Sequence, residues 1–289
     1  MRDIKENIMT PDNFIVRTMN RSEIDLAITW AASEGWNPGR YDAESFYQTD
    51  KNGFFVGELN GEPVACISAV TYDQHFGILG FYIVKPQFRG QGLGMKIWKT
   101  AIDYLGADRN IGLDGVVAQQ DNYKKSGFQI AYNHIRYEGV GGGVVPAGII
   151  ELKTVPFEEL VAYDCQLFPS KRPVFLQHWI EQPESTAFGF LKNGYLVGYG
   201  VIRPAHTGFR IGPLFANDEQ IAEALFQALL AQNPHAPVFF DVPDTNVQAI
   251  NLVQRYQLQP VSQTARMYTK EIPSLPINRV FAVTSLEVG

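Results

Sequence analysis

A chain of 289 residues is long enough for two domains or one large one, and its 45% hydrophobic content can fill substantial cores. A net charge of −6 excludes bulk attraction to DNA, RNA or anionic membranes, and two cysteines, Cys66 and Cys165, exclude a disulfide framework. Residues 1–13 read as a polar extension without an apolar signal core, and no run nears the ~18 apolar residues of a membrane span, so a soluble, cytoplasmic protein is expected.

Residues 14–18 read as a short strand, followed by a helix capped by Asn20 or Ser22 and running through Ala32. Gly35-Trp36-Asn37-Pro38-Gly39 breaks it, and Asp42 can cap a second short helix. Phe54 to Leu59 and Pro63 to Tyr72 are strands joined by an Asn60-Gly61 turn. A strand from Ile78 to Val84 stops at Pro86; a helix from Gly92 to Leu105 carries Leu93, Ile97, Ala101 and Leu105 on one face. A strand at 111–118, a short helix at 122–126 and a strand at 129–137 complete the first half.

Residues 139–150 read as a glycine-rich linker, with five glycines and one proline between Gly139 and Gly148. The order of elements then repeats: a helix at 156–168, strands at 187–191 and 196–202 around Asn193-Gly194, a strand at 208–214, a helix at 218–231, a strand at 238–242 and a helix at 249–256. The two Asn-Gly turns lie 133 residues apart, too far for a solenoid repeat, so a duplicated domain is expected.

The segment Arg89-Gly90-Gln91-Gly92-Leu93-Gly94 lies between a strand and a helix, where glycine lets backbone N–H groups approach phosphate and the helix N-terminus favours an anion. No Asp or Glu occurs from Gln74 to Ile102, while Lys85, Arg89, Lys96 and Lys99 do. The Walker spacing is absent, because no Gly-Lys-Ser/Thr follows. The dinucleotide spacing fails at Met95 and Ile97, where it requires glycine.

Arg89-x-x-Gly92-x-Gly94, in its strand–loop–helix setting, resembles the Arg/Gln-x-x-Gly-x-Gly/Ala motif of the GNAT acetyltransferases. Glu34-Gly35-Trp36-Asn37-Pro38-Gly39, Arg203-Pro204, Ile211-Gly212-Pro213-Leu214-Phe215, Asp241-Val242-Pro243 and Thr264-Ala265-Arg266-Met267-Tyr268 are similar to segments of its two-domain, YitH-type subgroup. The resemblance implies an α+β fold of two tandem GNAT-like domains: a CoA-binding domain at 14–138 and a degenerate one at 151–289. Each is a mixed, mostly antiparallel twisted sheet flanked by helices, with splayed central strands. It further implies that amides from Arg89 to Gly94 bind the pyrophosphate of acetyl-CoA, that Ile83 and Val84 pair with the pantetheine arm, and that no metal takes part. Tyr123, four residues before Gly127-Phe128, matches the family's general acid. A tyrosine, with pKa near ~10, can protonate a departing thiolate of pKa near ~8.5. The family often has Asn seven residues before this Tyr; Val116 stands there, a departure from the family's pattern.

Tyr82, Asp114, His75 and Asp73 are candidates for the base, and Trp36, Tyr82 and Asp114 for acceptor contacts. Cys66, among apolar neighbours, reads as an inert buried thiol. In the second half, Leu214 to Gln220 has no glycine and two carboxylates where phosphate would sit; Val253 stands at the tyrosine position and Gln257-Leu258 replaces Gly-Phe. The second half is therefore expected to keep the fold without the site. Arg203, His206, Arg210 and Arg266 could meet an anionic group there, or make ordinary ion pairs. The expected function is acetyl transfer to a small-molecule amine by a monomer or homodimer. Transfer of a longer acyl group, a thiol or peptide acceptor, and a CoA-binding sensor without turnover remain as alternatives; a sensor has no need of an acid such as Tyr123.

Overall fold

The computed structural model describes residues 13–289, so all of the expected amino-terminal extension except Asn13 lies outside the described residues. The first half runs β1 (Phe14–Thr18), α1 (Arg21–Ser33), α2 (Asp42–Thr49), β2 (Phe54–Leu59), β3 (Glu62–Thr71), β4 (Phe76–Val84), α3 (Leu93–Leu105), β5 (Asn110–Val116), α4 (Gln120–Lys125) and β6 (Gln129–Val140). The second repeats this order as β7 (Ile149–Glu151), α5 (Phe157–Asp164), α6 (Pro173–Ile180), β8 (Thr186–Lys192), β9 (Tyr195–Pro204), β10 (Phe209–Ala216), α7 (Glu219–Leu230), β11 (Pro237–Pro243), α8 (Val247–Arg255) and β12 (Gln259–Tyr268). A short extra strand, β13 (Val280–Ala282), follows.

Local chemistry sets several boundaries. Asn20 accepts from the Glu23 N–H while Glu23 reaches back to the Asn20 N–H, a reciprocal cap that starts α1. Asp218 and Asn246 cap α7 and α8 in the simpler way. Asp42 is the first residue of α2 rather than its cap; its carboxylate turns back to accept from the Gly39 N–H.

The chain adopts tandem mixed sheets flanked by helices, and the sheets of the halves run into one another. Their order is β1-β2-β3-β4-β5-β12-β6-β11-β10-β9-β8-β7. β12, from the second half, lies against β5, and β6, from the first half, lies against β11. Each half thus closes its sheet with the last long strand of the other. Two buried ion pairs sit at equivalent places in this exchange: Asp114 on β5 faces Arg266 on β12, and Asp241 on β11 faces Arg136 on β6.

One apolar core lies under α3 and α4 and takes in Ala265 and Met267 from the exchanged β12. A second lies under α7 and α8. The third fills the opposite side of the sheet and belongs to both halves: Ile24, Ala31 and Phe46 of α1 and α2 meet Leu160, Leu176 and Trp179 of α5 and α6. Burying an apolar side chain contributes about 1.5–3 kcal/mol, so this shared core also holds the halves together.

Candidate active site

β4 and β5 run parallel and pair only from Phe76–Asn110 to Leu79–Leu113. Beyond that they part, because Phe81 takes a left-handed φ of 47° and the β3–β4 register slips between Cys66 and Ser68. Such a bulge bends one strand away from its neighbour. Ile83 and Val84 stay paired with Cys66 and Ala65 of β3, and their other side faces the opening. At its end Arg89 begins the glycine turn. Gly90 and Gly92 have φ of 76° and 79°, a region other residues enter only at a cost, and Gly92 stands immediately before α3. The first-turn N–H groups of a 13-residue helix therefore face the mouth of the opening.

Both tyrosines expected at the site lie on the α3 side of the sheet. Tyr82 packs on Trp98 with ring centroids 5.2 Å apart, and Trp98 stacks on Tyr123 at 5.6 Å. A Cβ on Gly94 would come within 2.7 Å of the Tyr82 hydroxyl, so glycine lets this side chain reach the first turn of α3. Burial raises the pKa of both phenols, and for Tyr123 the nearby Tyr82 adds to it, so both are protonated at neutral pH. Gln91 is exposed and bonds to the Gln87 carbonyl, while Leu93 is buried in the core beneath α3. Val116, which stands where the family often has Asn, lies beside Thr264 of the exchanged strand.

The opposite face is polar but internally neutralised. The Asp114 side chain is fully buried, accepts two hydrogen bonds from Arg266 at 3.0 and 2.7 Å, and meets His134 Nδ1 at 2.8 Å. Burial alone would raise its pKa; Arg266 and His134 outweigh that and hold it below the ordinary range. A carboxylate so engaged is not an available base. Asp73 and His75 sit at the opposite end of β4, with Asp73 accepting from Ser170 and from the His75 and Phe76 N–H groups. Of the four candidate bases, Tyr82 and Asp114 stand where β4 and β5 part, and Asp114 is committed to Arg266 and His134. His134, on β6, was not among them. Its Nε2 is buried without a partner among the described residues, and Thr264 Oγ1, on the paired residue, is likewise unpartnered. His134 reaches Asp114 across the intervening strand β12, a tertiary contact that no local signal in the sequence marks.

The other expected contacts resolve as follows. Trp36 packs, half-buried, against the shared core, and its carbonyl accepts from Arg136. Arg203 pairs with Asp42, Arg210 with Asp241 and Glu287, and Arg266 with Asp114, so these arginines are committed to ion pairs. The His206 N–H donates to the Pro38 carbonyl. Cys66 is buried against the Phe81 carbonyl, and burial pushes its thiol pKa up, which makes it inert.

The second half opens at the same place and is filled. β10 and β11 pair up to Ile211–Phe240 and then part. Into the gap comes β13, antiparallel to β10 through Leu214–Ala282 and Phe215–Val280. The Val283 N–H donates to the Asp241 carbonyl, and the Asn246 side chain donates to the Val280 carbonyl. β10 passes almost directly into α7, with Asp218 as cap, so no glycine turn remains.

Family models of the GNAT acetyltransferases match residues 22–128 and 160–282. The holothin acyltransferase of Pseudoalteromonas sp. (strain SANK 73390) is 32% identical over 92% of each chain. The chain belongs to the GNAT acyltransferases. The N-acetyltransferase YitH of Bacillus subtilis (strain 168) is 24% identical over 67% of this chain and 70% of its own. A crystal structure of a protein from Pyrococcus horikoshii superposes with a TM-score of 0.83 at 18% identity, covering 97% of this chain and 98% of that one, which bears on the fold. This GNAT chain is thus an acyltransferase of tandem build, and its fold suggests acyl-CoA as cosubstrate. No metal-binding cluster occurs among the described residues, and no helix there is long and apolar enough to cross a membrane.

Proposed function

We propose that this acyltransferase moves an acetyl group from acetyl-CoA to the amine of a small molecule by direct attack on the thioester. The observation that carries this reading is the parting of β4 and β5 beside the Gly90–Gly92 turn, with the Tyr82 and Tyr123 rings packed on one side of it. In this reading the pyrophosphate rests on the amides from Arg89 to Gly94. The pantetheine arm lies along Ile83 and Val84 as an added strand, meeting the edge β4 leaves free. The amine lone pair forms the C–N bond, the C–S bond breaks, Tyr123 gives its proton to the departing thiolate, and the proton shed by the acylated nitrogen passes through solvent to restore the phenol. Burial raises the Tyr123 phenol, and the same apolar surroundings raise the basicity of a thiolate, so the proton still has somewhere to go.

The test is release of free CoA thiol from acetyl-CoA and longer acyl-CoAs against amino acids, polyamines, arylamines, peptides and holothin, the acceptor named for the relative. Acetyl-CoA with a small amine should give the highest kcat/KM. Tyr123→Phe should lower kcat by about 10²-fold or more, with the acyl-CoA dissociation constant little changed. Full turnover by Tyr123→Phe would remove the tyrosine from the chemistry. A preference for longer acyl groups would replace the acetyl donor.

A further inference from the structure

Glu34-Gly35-Trp36-Asn37-Pro38-Gly39 forms the loop between α1 and α2, and the mechanism above leaves it without a role. Its backbone is held on every side. The Trp36 N–H closes on the Ala31 carbonyl, and the Trp36 carbonyl accepts from Arg136. The Asn37 side chain exchanges two hydrogen bonds with the Thr207 backbone, and Gly39 forms a bridge with Ala205. The second half thus fixes this loop beside the opening, and Glu34 stands at its start.

Glu34 Oε1 lies 2.5 Å from the Arg89 guanidinium, while Arg89 Nε donates to the Val84 carbonyl at 2.8 Å. One side chain therefore ties the start of the α1–α2 loop to the strand edge and to the glycine turn. These are the groups expected to take the pantetheine and the pyrophosphate. Among the described residues Arg89 is the one cation within ion-pair distance of Glu34; Lys85, the nearest lysine along the strand, is paired with Glu62.

We propose that the Arg89–Glu34 ion pair is a latch that acyl-CoA opens, and that the freed Glu34 carboxylate binds the ammonium group of the acceptor. A pyrophosphate carries more charge than a carboxylate and suits the guanidinium fork better, so Arg89 turns to it when the cofactor enters. The pantetheine arm takes over the strand edge that Arg89 had capped at Val84. Glu34 is then a partly exposed carboxylate without a cation, on a loop that cannot follow Arg89. It attracts a protonated amine and turns away anionic acceptors. The second step rests on the amine reading above; the first does not.

Calorimetric titration with CoA tests the latch without any acceptor. Glu34→Gln should bind CoA about two- to fivefold more tightly than the unaltered protein, the range of a partly exposed ion pair. In an Arg89→Met background the same substitution should change nothing, whereas simple removal of a negative charge would tighten binding in both. With an amine found competent in the panel, Glu34→Gln should raise the amine KM at least tenfold and leave kcat within about threefold. Equal CoA affinities with and without Glu34, or equal tightening in the Arg89→Met background, overturns the latch; an unchanged amine KM overturns the acceptor contact. If no amine is turned over, the amine reading fails and the CoA titrations still decide the latch.

Discussion

Replacing Asp42 with Ala should be among the most damaging single changes in the molecule, although Asp42 lies outside the CoA opening. The Asp42 and Arg203 side chains are both fully excluded from solvent. Arg203 donates to the two carboxylate oxygens at 2.7 and 3.1 Å and lies over the Trp179 ring at 4.1 Å. Asp42 also accepts from the Gly39 N–H at 2.9 Å. Asp42→Ala leaves a guanidinium buried without its counter-ion, which costs about 3–5 kcal/mol. It also orphans one buried N–H, for about 1–3 kcal/mol more. Total stabilities run to about 5–15 kcal/mol, so a large fraction is at stake. The assay is urea unfolding, comparing midpoints at constant slope. Asp42→Ala/Arg203→Met, which removes both charges, should be at least about 1 kcal/mol more stable than Asp42→Ala alone. A single variant within about 1 kcal/mol of the parent, or a double variant worse than the single, would refute the reasoning.

A Cβ on Gly80 would fall 1.9 Å from the Glu287 carbonyl oxygen, so Gly80→Ala should cost about 1–3 kcal/mol and make residues 284–289 exchange amide hydrogens faster. Titration with acetyl-CoA should give one site per chain, because β13 fills the second opening, and Gly92→Val should abolish it. Asp114 and Asp241 have depressed pKa values in the fold, since their arginines outweigh burial. Their contribution to stability is therefore complete above the unfolded carboxylate range and is lost as pH falls below ~4. The urea midpoint should drop steeply from about pH 4 to pH 2, and less steeply in Asp241→Asn.

The glycine turn was legible because its signal is local: positive φ at Gly90 and Gly92 is a requirement of the turn itself. Most of the order of helices and strands was legible for the same reason, through periodicity and the cap at Asn20. The exchange of β6 and β12 was not. Both strands would offer the same alternating pattern to either neighbour, and only burial across the whole sheet selects the partner. β13 escaped notice because three residues, Val280–Ala282, are too short to show a period. α6 escaped because Pro173–Ile180 is apolar nearly all round and lacks a side-chain cap. Ion pairing of the arginines stood among the readings of the sequence, but their partners were not legible, since Asp42 is 161 residues from Arg203 and Asp114 is 152 from Arg266.

The exchanged strands give the molecule the build of a swapped dimer written on one chain. A cut in the glycine-rich connection after β6 would not release a free-standing CoA-binding half. The amino-terminal fragment would keep β6, whose places are beside β11 and β12, and would lose β12, which closes the sheet along β5. The carboxy-terminal fragment would suffer the mirror-image loss. The half without a glycine turn thus does more than hold the α1–α2 loop: it supplies the strand without which the working half has an open edge.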